Sequence, residues 1–477
     1  MPLVDRLDGI VGDRVEAATR GHHRRRLRRL GSPALAASDS TPWASDDYPA
    51  RDGNSMIIHV DGAAALTAIA ATLEAARSHV HISGWHTSPD FRLTRNPDGP
   101  LLRDLLADLA DRLPVRLLMW AGPPVPLFQP TRKMAEAARD EFCRDSRIAC
   151  VLDARERSLH CHHEKVIVVD DEVAFVGGID MTALSGDRYD DTSHRPRGAL
   201  GWHDGAVELR GPVVADVASH FAARWTEVAQ EAITSPAPPP PAGDVTVQLT
   251  RTVPENTYRF APSGKFGIAE TYLKALRRAE RLVYLENQFL WSTEVVDLLC
   301  EKLRNPPRDD FRVLLVLPSR PNNGADTTRG QLGRLLAAGP DRVLATTIYS
   351  HEENRTSRLY VHAKIAVIDD EWLTLGSANL NEHSLFNDTE VNIATCDRAL
   401  ARQTRLQLWA EHLQRPADQV AGDPAQVIDS LWRPIAEEQL HRAESGQPAT
   451  HRLRMLPGVS RRSERLQGPL RGLLVDG

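Results

Sequence analysis

Lysine is scarce in this chain. Only Lys133, Lys165, Lys265, Lys274, Lys302 and Lys364 occur among 58 Lys plus Arg in 477 residues, so nearly all positive charge is guanidinium. Cysteine is scarce as well. Cys143, Cys150, Cys161, Cys300 and Cys396 are odd in number and lack the paired spacing of a disulfide scaffold or zinc motif. Reduced thiols in the cytoplasm are the expectation, and a metal site of Cys161 with the neighbouring His160, His162 and His163 is the lesser reading. No run of about 18 apolar residues occurs, which argues against a transmembrane helix. The alanine-rich stretch 63–76, which carries Thr67, Thr72 and Glu74, reads as a buried helix. Residues 1–31 hold acids and arginines without an apolar core, so no secretory leader is expected. A basic excess is also missing: the net charge of −6 argues against a general nucleic-acid binder. What remains, 42% hydrophobic and 26% charged, is a globular composition with length for two to four domains.

The break in the chain is the tract 234–244, with four consecutive prolines, which favours an extended spacer. The expected division is a basic arm at 1–50, one repeat at 51–233, the linker at 234–244, a second repeat at 245–440, and a basic tail at 441–477. The arm holds His22-His-Arg-Arg-Arg-Leu-Arg-Arg29, and residues 440–477 carry seven arginines against three acids. Either could touch an anionic membrane surface, although solvated faces account for them equally simply. In each repeat, short apolar runs (Val115–Trp120; Phe311–Leu317) alternate with segments of helical spacing (Leu101–Arg112; Ala269–Ala279), which predicts an α/β layered fold.

The repeats share a sentence. His163-Glu-Lys165-Val-Ile-Val-Val-Asp170, then Gly177-Gly178-Ile179-Asp180, returns as His362-Ala-Lys364-Ile-Ala-Val-Ile-Asp369, then Gly376-Ser377-Ala378-Asn379, always 199 positions later. Apolar β-branched residues, an Asp-Asp-Glu turn and a second apolar run predict a hairpin in each repeat. Spacing of two puts each histidine and its lysine on one face. Histidine can attack phosphorus when neutral and donate to a leaving oxygen when protonated, and lysine stabilises the developing oxyanions without a metal. The motif residues assigned to catalysis are His163, Lys165, Asp170, His362, Lys364 and Asp369. Of these, Asp170 and Asp369 face away at the turn and read as structural. Asp204, 41 residues after His163, and Glu390, 28 after His362, are the expected orienters of the histidines. Asp180, Ser377 and Asn379 are the expected substrate contacts. Arg188, Trp202, Arg355 and Arg358 are further candidates for phosphate or head-group contact.

At these residues the chain resembles the phospholipase D superfamily, known by paired His-Lys-Asp motifs, over roughly residues 50–440. His162–Asp170, Gly177–Asp180, Arg188–Asp191 and Trp202–Asp204 resemble the first catalytic region of the phospholipase D branch proper. Tyr284-Leu-Glu-Asn-Gln-Phe289 resembles the segment between the regions. Tyr360–Lys364 and Gly376–Ser384 resemble the second region. The resemblance implies two α/β/α sandwich halves packed as a pseudo-dimer, with the site on the seam. It implies hydrolysis of glycerophospholipids to phosphatidic acid, with transfer to alcohols, through a phosphohistidine. His163 would be the nucleophile and His362 the acid/base, with some relatives reversing the two. No cofactor or metal is expected. The expected partners are phospholipid at a membrane or micelle surface and water or an alcohol; nucleic acid is disfavoured and no oligomer is required. The expected location is cytoplasmic, peripheral to a membrane. Rival readings are a cardiolipin synthase-like transferase, a nuclease of the same superfamily, and a catalytically silent membrane-binding scaffold.

Overall fold

A computed structural model describes residues 41–124, 129–156, 160–321, 325–353 and 355–457, together with Gly21, Arg25, Arg26 and Arg28. Most of the basic arm and residues 458–477 of the tail lie outside the described residues. Across the first half, the strands follow the order Ala149–Asp153, Val115–Trp120, Val80–Gly84, Val166–Val169, Val173–Gly177, Gly205–Arg210, Arg51–Val60. The first three are parallel and the rest antiparallel. The second half repeats this with Val343–Glu352, Arg312–Val316, Leu282–Glu286, Ile365–Ile368, Trp372–Gly376, Glu390–Thr395 and Val245–Val253. Each half is thus an α/β unit around seven equivalent strands, and the second sheet also takes in Leu453–Met455 beside Val343–Glu352 and Lys265–Phe266 beside Val245–Val253. The two sheets meet through Arg51 opposite Val247 and Asn54 opposite Val245.

Alternation along the strands decides which apolar side chains face which layer. Ile167 and Val169 lie under the helices Gly62–Glu74 and Leu102–Ala110, in a core with Leu66, Leu73 and Leu106. Val166 and Val168 point the other way, into a core shared with Ile365 and Val367 of the second half. Ala366 and Ile368 then lie under the helices Gly267–Arg278 and Thr293–Arg304. Sheet faces buried on both sides explain why both motif strands read as unbroken apolar runs. The shared inner core holds the two halves face to face, and the motifs open at its edge.

The predicted helix at 63–76 is observed at Gly62–Glu74, and the helices at 101–112 and 269–279 at Leu102–Ala110 and Gly267–Arg278. The hairpins form as expected, but each strand begins one residue after its lysine, at Val166 and Ile365. His163 and Lys165 therefore sit on the lead-in, not on the ladder. The turn residues Asp170, Asp171, Asp369 and Asp370 all have φ between 54° and 58°. This left-handed region favours Gly, Asn and Asp, which accounts for the Asp-Asp pair in both copies.

Candidate active site

The two motif copies are brought to one place by backbone pairing across the halves. The His163 amide donates to the Thr389 carbonyl at 3.0 Å, and the His362 amide donates to the His203 carbonyl at 2.8 Å. These are corresponding contacts of a pseudo-two-fold arrangement. Gly178 N–H to Gly205 O (3.0 Å) and Ser377 N–H to Val391 O (2.9 Å) show the same correspondence. It makes Asp204 and Glu390 equivalent positions, each just ahead of an equivalent strand.

The rings follow the backbone. His163 Nδ1 lies 3.0 and 3.1 Å from the Glu390 carboxylate oxygens, and His362 Nδ1 lies 2.6 Å from Asp204 Oδ2. An ionised carboxylate only accepts, so each Nδ1 carries the proton and each Nε2 is left to react. The predicted orienters are therefore present, but crossed. Proximity in sequence pointed to a carboxylate from each histidine's own half; the structure supplies it from the other half. The cause is the seam: the residues before Asp204 and Glu390 cross it to pair with the opposite motif.

Each lysine is held by its own histidine. Lys165 Nζ donates to the His163 carbonyl at 2.8 Å and Lys364 Nζ to the His362 carbonyl at 2.5 Å. The partners then diverge. Lys165 Nζ is 3.3 Å from Asp180 Oδ2, whereas Lys364 Nζ donates to Gln288 Oε1 at 3.2 Å. His163, Lys165, His362 and Lys364 are only 4%, 6%, 6% and 1% exposed. Charge in such a desolvated site acts on an anion far more strongly than it would in water.

Hydrogen bonds place the other candidate residues. Asp180 accepts from the Trp85 amide at 3.2 Å and faces Lys165, so it holds the lysine and would repel a phosphate. The Ser377 hydroxyl donates to Glu390 and accepts from Val391 N–H, so it supports the orienter. Asp170 accepts the Arg77, Ser78 and His79 amides at 2.7–3.2 Å, and Asp369 accepts those of Glu280, Arg281 and Leu282 at 2.7–2.8 Å. Both tie the hairpin turn to the entry of the neighbouring strand, the structural reading. Asn379 is fully buried at the position equivalent to Asp180. Arg188 stacks on Trp202, whose ring lies 4.4 Å from His362. Burial pulls the Arg188 guanidinium down to about 10. Arg355 and Arg358 are exposed on a hairpin, and Arg355 pairs with Glu352 at 2.7 Å.

Electrostatics set the resting charge around His362. Burial, then the cations Lys364, Arg188 and Lys165, hold the His362 ring well below its usual pKa, so it rests neutral. Burial also raises Asp204 to about 6, against the pull of Lys364 and the Gly205 amide. Behind His362 lies a fully buried charge network that sequence reasoning missed. His203 Nδ1 faces Asp61 at 2.8 Å and Nε2 faces Glu286 at 2.7 Å; His412 joins Glu286 at 2.7 Å, and His194 joins Glu411 at 2.8 Å. Burial opposes protonation of His203 and His194, but the surrounding carboxylates outweigh it. His203 is raised well above its usual value and His194 to about 9. His203 and Glu286 lie in the Trp202–Asp204 and Tyr284–Phe289 segments, but nothing in the sequence linked them to each other or to Asp61, His194, Glu411 and His412. Among the described residues, three groups bring donor atoms close enough together to suit a cation: Asp61, His194, His203 and Glu411; His203, Glu286 and His412; and separately His160, His383 and Asp388. Cys161 is in none of them. His162 does not join a metal group either. It faces Ser83, Thr389 and Arg224, and burial with Arg224 holds it neutral.

The arrangement can carry two-step transfer: one Nε2 attacks phosphorus, the other protonates the leaving oxygen, and two ammonium groups flank the phosphoryl oxygens. The family model described as "Phospholipase D" matches residues 72–201, and the one described as "Cardiolipin synthase, PLD-like domain" matches residues 272–411. Each contains one motif copy, and together they span more than half of the chain. "Phospholipase D alpha 1" of Cynara cardunculus is 24% identical over 82% of this chain and 69% of its own length. "Phospholipase D A" of Dictyostelium discoideum is 23% identical over 79% of this chain but only 37% of its own. The solved phosphatidylserine synthase of Haemophilus influenzae superposes with a TM-score of 0.51 at 11% identity, covering 79% of this chain and 88% of that one, a likeness of fold. By its two matched domains, its paired motifs and its two-half fold, the chain belongs to the phospholipase D superfamily.

Proposed function

We propose that the protein cleaves the head-group phosphodiester of glycerophospholipids, giving phosphatidic acid with water and a phosphatidyl alcohol with an alcohol acceptor. The carrying observation is the crossed pair of imidazoles, His163 with Glu390 and His362 with Asp204, each beside a lysine. The lipid substrate is supported by the relatives named phospholipase D, and transfer by the family model named for cardiolipin synthase.

In this reading His163 Nε2 attacks phosphorus as the bond to the head-group oxygen breaks. His362 gives its Nε2 proton to that oxygen, and Lys165 and Lys364 hold the non-bridging oxygens. Water or an alcohol then gives its proton to His362 and attacks phosphorus, breaking the phosphorus–nitrogen bond and restoring His163. The arriving phosphate anion offsets the cations that keep His362 neutral, and so permits its protonation. A second assignment, with His362 attacking and His163 donating, is favoured by one observation: His362 already rests neutral, the form of a nucleophile.

Product analysis on mixed phospholipid micelles, with and without ethanol, tests the function. Phosphatidic acid in water and phosphatidylethanol with ethanol, both lost in His163→Ala, are the expected result. Turnover that survives the substitution, or none with any glycerophospholipid, overturns it. Acid-free quenching and peptide mapping of the phosphorylated histidine decide between His163 and His362.

A further inference from the structure

A second group of histidines sits on one flank of the seam and takes no part in the reaction above. His160 lies three residues before His163. His383 lies on the short helix Glu382–Phe386, and Asp388 lies two residues before Glu390. The His160 and His383 rings are 5.3 Å apart, and their Nδ1 atoms lie 3.5 and 3.8 Å from the same oxygen, Asp388 Oδ1. These separations are too long for good hydrogen bonds. They are close to the spacing a tetrahedral ion imposes, because bonds of about 2.0–2.2 Å place ligand atoms roughly 3.3–3.6 Å apart.

Two further observations favour a cation. Asp388 is fully buried, and its Oδ2 has no hydrogen-bond partner, whereas its Oδ1 accepts the Cys161 amide at 2.9 Å. Glu156 is buried nearby, and its Oε2 also lacks a partner. His160 is the accessible ligand, with a side chain 20% exposed, which leaves an entry path and a coordination position for water.

We propose that His160, His383 and Asp388 form a site for a divalent transition metal of the zinc class. Two imidazoles and one carboxylate suit zinc, cobalt or ferrous iron and disfavour calcium or magnesium, which prefer oxygen ligands. The site joins the halves, because His160 belongs to the first and His383 and Asp388 to the second. It exists on one side only, since the equivalent positions Leu359, Leu184 and Trp202 offer no ligand. Through Asp388 to Cys161 N–H, Thr389 N–H to Cys161 O (3.1 Å) and His163 N–H to Thr389 O, the ion fixes the register that brings His163 to Glu390. The metal is a brace for the site and not part of the phosphoryl chemistry.

The test uses full-length protein freed of metal by chelation and dialysis. Zn2+ binding is followed calorimetrically, Co2+ binding by its ligand-field absorption, and the melting temperature with and without Zn2+. The expected result is about one ion per chain and a rise in melting temperature. Binding should weaken at least about tenfold in His160→Gln and be lost in His383→Ala. If His383→Ala shows no cooperative melt, the partly exposed His160→Gln decides. Wild-type protein that binds no ion, or binding of wild-type strength in His160→Gln, overturns the proposal.

Discussion

The two sides of the seam share a backbone and differ in nearly everything the side chains do. On the first, His163 faces Glu390, a long carboxylate pinned by two hydroxyls, Ser377 and Ser384 (2.6 Å). On the second, His362 faces Asp204, a shorter carboxylate held by the Gly205 amide at 2.8 Å. The residue pair 178 and 377 explains how both lengths are accommodated. A Cβ on Gly178 would sit 2.1 Å from Asp204 Oδ1, so only glycine leaves room for the close carboxylate. At the equivalent position Ser377 reaches Glu390. Duplication therefore fixes where the groups stand, and the side chains at 178 and 377 fit each side to its own carboxylate.

The strongest way to break the comparison is to remove each ring. His163→Ala and His362→Ala should each lower kcat by about 10^4-fold or more, since a nucleophile and its acid act as a unit. Equal loss in both, measured as phosphatidic acid release, is expected; a variant that keeps more than a few per cent of activity would show the two rings to be independent.

The next effect separates the orienters. Glu390→Gln and Asp204→Asn should each cost roughly 10^2–10^4-fold in kcat, because the amide can present the wrong tautomer to the ring. The pH profiles should differ. Asp204 titrates near 6, so as pH falls through 6 it takes up a proton and can no longer accept the His362 Nδ1–H. Activity should fall on that acid limb. Asp204→Asn should abolish the limb and Glu390→Gln should keep it; a limb unchanged in both variants assigns it to another group.

Smaller effects probe the accommodation at 178 and 377. Gly178→Ser drives Asp204 away and should cost about 1–3 kcal/mol with a marked loss of kcat. Ser377→Gly removes one hydroxyl from Glu390 and should cost roughly 1 kcal/mol. Denaturant melts and kcat, measured side by side, check the order. Smallest in activity are Asp170→Ala and Asp369→Ala. Each leaves strand-entry amides without their acceptor, so stability should drop by about 1–3 kcal/mol while kcat per folded molecule stays near that of the parent. A large fall in kcat at unchanged stability would return these two aspartates to the reaction.

Much of this was legible before folding. The hairpins announced themselves because β-branched runs and an Asp-Asp turn are local signals, and the same register occurred twice. The two His-Lys pairs were legible for the same reason. Ser377 and Asp180 are hard to read from sequence, because a short polar residue near a motif looks the same whether it contacts substrate or holds the group that does. Their partners, Glu390 and Lys165, lie 13 and 15 residues away along the chain and are brought near by folding. In the network of Asp61, His194, His203, Glu286 and Glu411, only His203 and Glu286 lay in recognisable segments, and nothing in the sequence paired them, since a buried ion pair is recognisable only when both partners and their burial are known.

The sequence alone determined the elements, the duplication and the chemical class, because these rest on periodicity, turn conformations and residue type, which act over a few neighbours. The tertiary structure decided which carboxylate serves which histidine. Those contacts span 227 and 158 residues and cross between the halves, and they depend on two sheets burying their inner faces against one another. Burial also set the resting charge of His362 and Asp204, because the cost of desolvating a charge exists only once the surrounding layers have closed.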